Sequence, residues 1–307
     1  MHPAVSVIFF TVTSGAGFGF LAMIGLGVPM PESGPGAFLA CLVAGGLAVM
    51  GLISSTFHLG HPERAWRAIS QWRSSWLSRE GVCAIITLVL FGFYALFWVF
   101  FGERIAPLGI LVAIGAAATV FTTSMIYAQL KTVPVWNTWM TPACYLAFSL
   151  TSGILFAGAF GHWQSFAGLS VPLLGLVALG CAWLMKLLWW QNGGRATLEA
   201  MGSDTGTATG LGFLGTVRLL EKPHSGQNYL TKEMVHRIGR KHAAKLRIIS
   251  LVLGAALPLA LCLLAMFATG AASQFLLVLA VFGLIAGLFA ERWLFFAEAR
   301  HAVSLYY

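Results

Sequence analysis

Two residues of this sequence combine a proton-carrying side chain with a position at the edge of a long apolar run. His58 lies at the end of the run at 37–60, and Glu80 stands just before the run at 81–102. An imidazole can hydrogen-bond a carbonyl oxygen and exchange a proton near neutral pH, and a nearby carboxyl group can share that work. Quinone chemistry couples two electrons to two protons. We therefore predict a quinone site here, with His58 and Glu80 handling protons.

The segment between these two residues concentrates charge in a chain that has little of it. Only 9% of the residues are charged, against about 25% in soluble domains. The segment contains the following arginines and tryptophans: Arg64, Arg67, Arg73, Arg79, Trp66, Trp72 and Trp76. We predict that it forms the rim of the site and faces a partner protein. The simpler alternatives are solvated interfacial arginines, a packing histidine and a glutamate that complements a helix dipole.

A second polar segment, at 125–142, lies at the end of the fourth apolar run. Tyr127, Trp136 and Trp139 make it aromatic, and two prolines stiffen it. Interfacial aromatic residues are normally membrane anchors, but they also suit an apolar pocket around a quinone ring. The predicted quinone-binding residues are His58, Arg64, Glu80, Tyr127, Trp136 and Trp139.

The composition indicates the fold that must position these residues. The chain is 58% hydrophobic, and runs of about 20 apolar residues are long enough to cross a bilayer as helices. We predict an all-α, polytopic integral membrane protein, an eight-transmembrane-helix bundle that forms one membrane domain over 1–307. The predicted spans are 4–29, 37–60, 81–102, 107–128, 141–161, 169–190, 248–270 and 274–297.

The distribution of basic residues predicts the orientation. An even number of spans puts both termini on one side, together with the links at 61–80, 129–140 and 191–247. That side carries nearly all the lysines and arginines outside the spans, which is typical of a cytoplasmic face. We therefore expect a multi-pass protein of the bacterial inner membrane with both termini cytoplasmic. The long basic loop should contain a basic helix at 231–247 that leads into the seventh span and could bind anionic lipid.

Three charged residues fall inside predicted spans, where each is costly. Lys186 lies near the cytoplasmic end of the sixth span, and its ammonium is expected to reach the interface. Glu291 and Arg292 in the eighth span are expected to pair with neighbouring helices or to belong to a proton path.

Metal and haem chemistry are not expected in this chain. His58 is the only histidine within a predicted span, whereas a b-type haem usually needs two axial histidines. The five cysteines are isolated from one another, and no spacing is typical of a zinc or iron–sulfur site. The net charge of +8 is better explained by the membrane than by nucleic acid.

Three motifs resemble the membrane anchor subunits of the dimethyl sulfoxide reductase family. They are HLGHPERAW at 58–66, the glutamate of SREG at 78–81, and the TVP-x-W-x-x-W block within 127–142. The resemblance implies an anchor without haem in a three-subunit enzyme. Its partners would be a molybdopterin catalytic subunit and a ferredoxin-like iron–sulfur subunit, with ubiquinone or menaquinone as the bound quinone. His58 and Glu80 match the quinone-site residues of that family, while Trp139 lies one place early.

Two departures from this family bear on the substrate. In the dimethyl sulfoxide reductase anchor the docking face is periplasmic, whereas the positive residues here predict a cytoplasmic face. The long basic link at 191–247 also differs from the short link expected in that anchor. Both features are more similar to the membrane subunits of cytoplasmic sulfite-oxidising molybdoenzymes, which implies that electrons from sulfite pass through iron–sulfur clusters to quinone.

Other functions remain open at this point. A quinol-oxidising anchor of an S- or N-oxide reductase could use the same site in the opposite direction. A transporter would show an inverted repeat or a pair of broken helices, and the apolar runs show neither plainly. An inert tether would hold the enzyme at the membrane without taking part in quinone turnover.

Overall fold

In a computed structural model, the described part of the chain folds as a bundle of eight long apolar helices. The structure describes residues 4–28, 34–59, 61–161, 165–166, 169–221, 226 and 242–305. The helices are α1 Val5–Gly25, α2 Pro35–Ser54, α3 Trp76–Phe101, α4 Ala106–Ala128, α5 Met140–Phe160, α6 Val171–Gly193, α7 Ala243–Ala265 and α8 Gly270–Ala297. Each is long and apolar enough to cross a membrane. The prediction of an all-α polytopic membrane protein is confirmed.

The difference from the predicted spans that bears most on the site is the start of α3. It begins at Trp76, because Ser75 caps the helix by accepting a hydrogen bond from the Ser78 N–H at 3.4 Å. Counting apolar residues placed the start at 81, since Ser78, Arg79 and Glu80 are polar. Glu80 therefore lies inside the helix, more than one turn from its start, rather than in the link before it.

Helix α1 is the centre of the bundle. It has the largest buried share of any span, 78% against 28–56% for the others, and it packs against α2, α4, α5 and α8. Glycines make these crossings close, because a Cβ at Gly19 would overlap the carbonyl oxygen of Ser149, and one at Gly25 would overlap that of Gly109. Small residues at helix crossings allow backbones to meet in this way.

The close crossing of α1 and α5 predicts a sharp difference between two identical substitutions on one helix. We expect Gly19→Ala to destabilise the bundle by about 1–3 kcal/mol, the usual cost of overpacking, because its Cβ meets backbone. Gly15→Ala is the matched control, since a Cβ there has nothing within 4 Å. Thermal unfolding of the detergent-solubilised protein measures both. Equal melting temperatures for the two variants would contradict the crossing.

The connections on one side of the bundle are the longer ones. The link between α2 and α3 contains a 3-10 helix at Pro62–Gln71, and the link between α6 and α7 contains a short helix at Thr205–Thr209. The other side has the shorter links, including a two-stranded ladder of Ser165–Phe166 and Leu169–Ser170. We call the side with both termini and the longer links the basic side. Most of the predicted basic helix at 231–247 lies outside the described residues, which resume at 242.

Candidate functional site

A cavity of about 800 Å³ opens between the helix ends on the basic side. Its walls come from the start of α1, the end of α2, the start of α3 and the end of α4. The 3-10 helix Pro62–Gln71 closes it from outside, and Phe296 of α8 contributes to its floor. We call it the rim cavity. Its size and mainly apolar lining are those of a site for a small organic molecule.

Four of the six predicted quinone-site residues line this one cavity. Arg64 comes from the 3-10 helix, Glu80 from α3, Tyr127 from α4 and Trp136 from the link after α4. They are separated by up to 72 positions in sequence, so their convergence depends on the helix packing.

The other two predicted quinone-site residues are His58 and Trp139. His58 is the last residue of the 3-10 helix Ser55–His58 at the end of α2, but its side chain lies outside the described part of the structure. Trp139 precedes α5, is 67% exposed and is not among the residues that line the rim cavity. Its position favours a membrane anchor or a surface contact.

Glu80 is held inside the protein by a hydroxyl group. The residue is only 4% exposed, and its Oε1 lies 2.5 Å from the Oγ1 of Thr123 on α4. The same hydroxyl lies 2.9 Å from the carbonyl oxygen of Thr119. A hydroxyl has one hydrogen to donate. The Thr123 hydroxyl can donate to either oxygen, and when the Glu80 carboxyl is protonated the hydroxyl can accept from it and donate to Thr119.

The inner wall of the cavity is a rigid aromatic group. The indole N–H of Trp136 donates to the carbonyl oxygen of Phe295 at 2.9 Å, and the two rings stack at 5.0 Å. Tyr127 meets Trp136 and Phe296 edge to face, each at 5.4 Å. Asn137 donates from its amide to the carbonyl oxygen of Ala128 at 2.5 Å and so anchors the link to the end of α4.

The rim is exposed and carries its charges outward. Arg64 and His61 both approach the carboxylate of Glu63, at 3.7 and 3.0 Å. Trp66 is 68% exposed, with the Arg67 guanidinium 5.5 Å from its ring centre. These groups are available to a partner protein or to lipid headgroups.

Arg79 differs from the other rim arginines. It donates to the carbonyl oxygens of Trp72 and Arg73, at 3.0 and 2.7 Å. Its guanidinium also lies 4.3 Å from the centre of the Trp76 ring. Arg79 therefore holds the turn that leads into α3.

The buried charges of α6 and α8 form one cluster. Lys186 pairs with Glu291 Oε1, while the Nε of Arg292 lies 2.9 Å from Glu291 Oε2. All three are at most 4% exposed. The expectation that Lys186 reaches the interface is wrong, because the Glu291 carboxylate holds its ammonium in the interior. The expected pairing of Glu291 with a neighbouring helix is confirmed.

Sequence reasoning missed Thr123, Phe296 and Tyr145. Threonines inside a membrane helix normally hydrogen-bond their own backbone, so nothing in the sequence predicts that Thr123 contacts Glu80. Tyr145 lies in the fifth apolar run, and nothing in the sequence pairs it with Arg292, whose guanidinium carbon lies 3.9 Å from its ring centre. Within the described residues, no three His, Cys, Asp or Glu side chains group in a way that could hold a metal ion.

Comparison with known proteins gives two consistent matches. Residues 1–297 match the family model described as DMSO reductase anchor subunit (DmsC). The chain is also 33% identical to the C subunit of the sulfite dehydrogenase of Allochromatium vinosum, over 100% of this chain and 99% of that protein.

Proposed function

This chain belongs to the family of DMSO reductase anchor subunits, and on that premise we propose that it is the quinone-site subunit of a sulfite-oxidising complex. It is an integral membrane protein, and its full-length relative is a sulfite dehydrogenase subunit. In the proposed complex a molybdopterin subunit oxidises sulfite. A ferredoxin-like iron–sulfur subunit docks on the rim and passes electrons to a quinone in the rim cavity.

The observation that carries this proposal is the convergence of a buried carboxyl group and an aromatic wall in one cavity beside an exposed rim. The lining fits a quinone, since it is mainly apolar and has few polar groups, Glu80 and Arg64 among them. A polar cluster alone would suit an ion, and an apolar groove alone would suit a lipid chain. The combination suits a flat ring with polar oxygen atoms.

A quinone supplies two-electron, two-proton chemistry when bound, and the residues of this chain have separate roles toward it. Glu80 gives up a proton at its carboxyl, which the Thr123 hydroxyl holds in position. Tyr127 and Trp136 present rigid faces that orient a ring and exclude water. We assign His58 a hydrogen bond to a quinone oxygen, as its match to the family implies. Arg64, on the outer wall, would offer a positive charge to a quinone oxygen.

We propose that the rim and both termini face the cytoplasm of a bacterial inner membrane. The support is the excess of lysine and arginine on the basic side. Docking of the iron–sulfur subunit on this face would put its clusters close to the rim cavity.

A second candidate function follows from the family description. The family is that of anchors of a reductase, in which electrons would leave a quinol and flow outward. The full-length relative is instead part of a dehydrogenase, and this favours electron flow toward quinone.

Two phenylalanine substitutions on α3 test whether the rim cavity holds the quinone. Gly81 lines the cavity, and a Cβ there would meet nothing within 4 Å. We expect Gly81→Phe to fill the space and to weaken binding of a short-chain quinone analogue by about tenfold or more, where tenfold corresponds to about 1.4 kcal/mol. Gly92→Phe is the matched control, because Gly92 is equally open and lies away from the cavity.

The measurement is equilibrium binding of the analogue to the purified complex, with dye-linked sulfite oxidation as a check on assembly. Unchanged affinity in Gly81→Phe would refute the placement of quinone in this cavity. Equal weakening in both variants would refute it as well, since the effect would not depend on the cavity.

A further inference from the structure

The charge cluster of Lys186, Glu291 and Arg292 has two cations on one carboxylate. All three side chains lie inside the bundle, and Glu291 is fully buried. A charge in a membrane interior is expensive and generally functional. The cluster therefore carries one excess positive charge inside the bundle, where a neutral ion pair would cost less free energy. Arginine keeps its proton in proteins, so Lys186 is the member that can remove the excess by releasing one.

On one side the cluster reaches the rim cavity through two tyrosines. The guanidinium carbon of Arg292 lies 3.9 Å from the ring centre of Tyr145. Tyr145 stacks on Tyr127 with ring centres 6.1 Å apart, and Tyr127 lines the rim cavity. Packed side chains thus connect the charge cluster to the rim cavity.

On the other side the cluster borders a second cavity on the basic side. The ammonium nitrogen of Lys186 lies 3.6 Å from the ring centre of Trp189 and 5.3 Å from that of Trp190. Both tryptophans line a cavity of about 620 Å³. We call it the tail cavity, because Glu298 and Arg300 at the end of the chain contribute to its wall.

Several buried polar atoms at the cluster make no hydrogen bond of good geometry within the described part of the chain. They are the Tyr145 hydroxyl, the Nη1 of Arg292 and both carboxylate oxygens of Glu291, although the Tyr145 hydroxyl and the Arg292 guanidinium lie close enough to interact. Buried polar groups of this kind are normally satisfied by an internal water molecule. A water between them would join the cluster to Tyr145.

Glu298 gives the tail cavity a group suited to proton uptake. It pairs with Arg247 at 2.8 Å, and its side chain is 16% exposed. Burial raises the pKa of the Glu298 carboxyl above its ordinary value, although the Arg247 charge opposes this. A carboxyl group whose pKa lies closer to neutrality exchanges protons more readily at working pH.

We propose that Lys186, Glu291 and Tyr145 form a proton relay that carries protons from the tail cavity to the rim cavity. The proposal rests on the quinone function proposed above. Lys186 gives a proton to Glu291, which passes it through water to Tyr145 and then toward Tyr127 and the rim cavity. Lys186 regains a proton from the tail cavity by way of Glu298. Each quinone takes two electrons from the iron–sulfur partner and two protons, one from Glu80 and one by this route, and the relay returns to its starting state.

The tests use the whole complex and two variants that are aimed at proton transfer. Tyr145→Phe removes the hydroxyl group and keeps the ring. Lys186→Arg keeps the positive charge next to Glu291 but holds its proton. We expect each to slow quinol formation on the order of a hundredfold, the lower end of what a proton-transferring group contributes, and to enlarge the solvent deuterium isotope effect. Tyr94→Phe, another buried tyrosine, is the control and should leave both unchanged.

Two readouts do not depend on turnover. Affinity for the quinone analogue should be unchanged in Tyr145→Phe. In addition, infrared difference spectra of electrochemical quinone reduction should contain a tyrosine signal that disappears in Tyr145→Phe and persists in Tyr94→Phe. Full rates of quinol formation in both Tyr145→Phe and Lys186→Arg would overturn the relay. The quinone function would still stand if Gly81→Phe, tested separately, weakened binding of the analogue. A wild-type complex that binds no quinone would overturn both.

Discussion

Glu80→Gln is expected to lower quinone turnover by about a thousandfold, within the range that a proton-transferring side chain contributes. The amide has nearly the shape of the carboxyl group and can donate to the Thr123 hydroxyl just as a protonated carboxyl would. The position of the side chain is therefore preserved while its ability to exchange a proton is lost. The measurement is the steady-state rate of sulfite-dependent quinone reduction in the purified complex.

The control for this variant lies on the same chain. Glu103→Gln neutralises an exposed carboxylate just beyond the other end of α3, far from the rim cavity, and should keep the full rate. Dye-linked sulfite oxidation should be unaffected in both variants, because it does not use quinone. A Glu80→Gln complex that reduces quinone at the normal rate would remove Glu80 from the mechanism.

Glu291→Leu is expected to cost about 3–5 kcal/mol of stability, the usual penalty for breaking a buried ion pair on one side. The substitution leaves Lys186 and Arg292 in the interior with two positive charges and no counter-ion. We expect little assembled protein in the membrane and a lower melting temperature for whatever is recovered. Fluorescence-detected gel filtration after solubilisation measures the first, and thermal unfolding in detergent measures the second.

Lys186→Met should be much milder in the same assays. It removes the second cation and leaves Glu291 and Arg292 as a balanced pair, with methionine filling the apolar space of the lysine stem. Both substitutions replace a buried side chain with an apolar one of similar length. The expected difference in stability between them therefore comes from the charge balance of the cluster. Equal destabilisation by the two substitutions would show that the cluster is not overcharged.

The sequence was sufficient to predict the eight membrane-spanning helices, but it did not predict the contacts between them. Apolar runs located eight spans, because the length of a bilayer crossing leaves few alternatives. They misplaced the start of α3, because Ser75 begins a helix whose first turns are polar. The residues of the rim cavity were identified by type and by resemblance to a family, and Arg64, Glu80, Tyr127 and Trp136 do line one cavity.

The sequence contains no pattern that predicts the contacts across the bundle. Lys186 and Glu291 are more than 100 positions apart, and one lysine near a helix end is normally an interfacial residue. Trp139 was expected in the cavity because it belongs to the same aromatic block as Trp136. The two differ because the indole of Trp136 is bonded to Phe295 inside the bundle, whereas Trp139 points outward at the start of α5.

Both cavities open at the same end of the helices. By the proposed route, electrons from the docked partner and protons from the surrounding solution reach the quinone from one compartment. Turnover would then be electroneutral, since no charge crosses the bilayer when the quinol forms. The complex would feed reducing equivalents into the lipid phase without itself generating a membrane potential, and energy would be conserved only where another enzyme reoxidises the quinol.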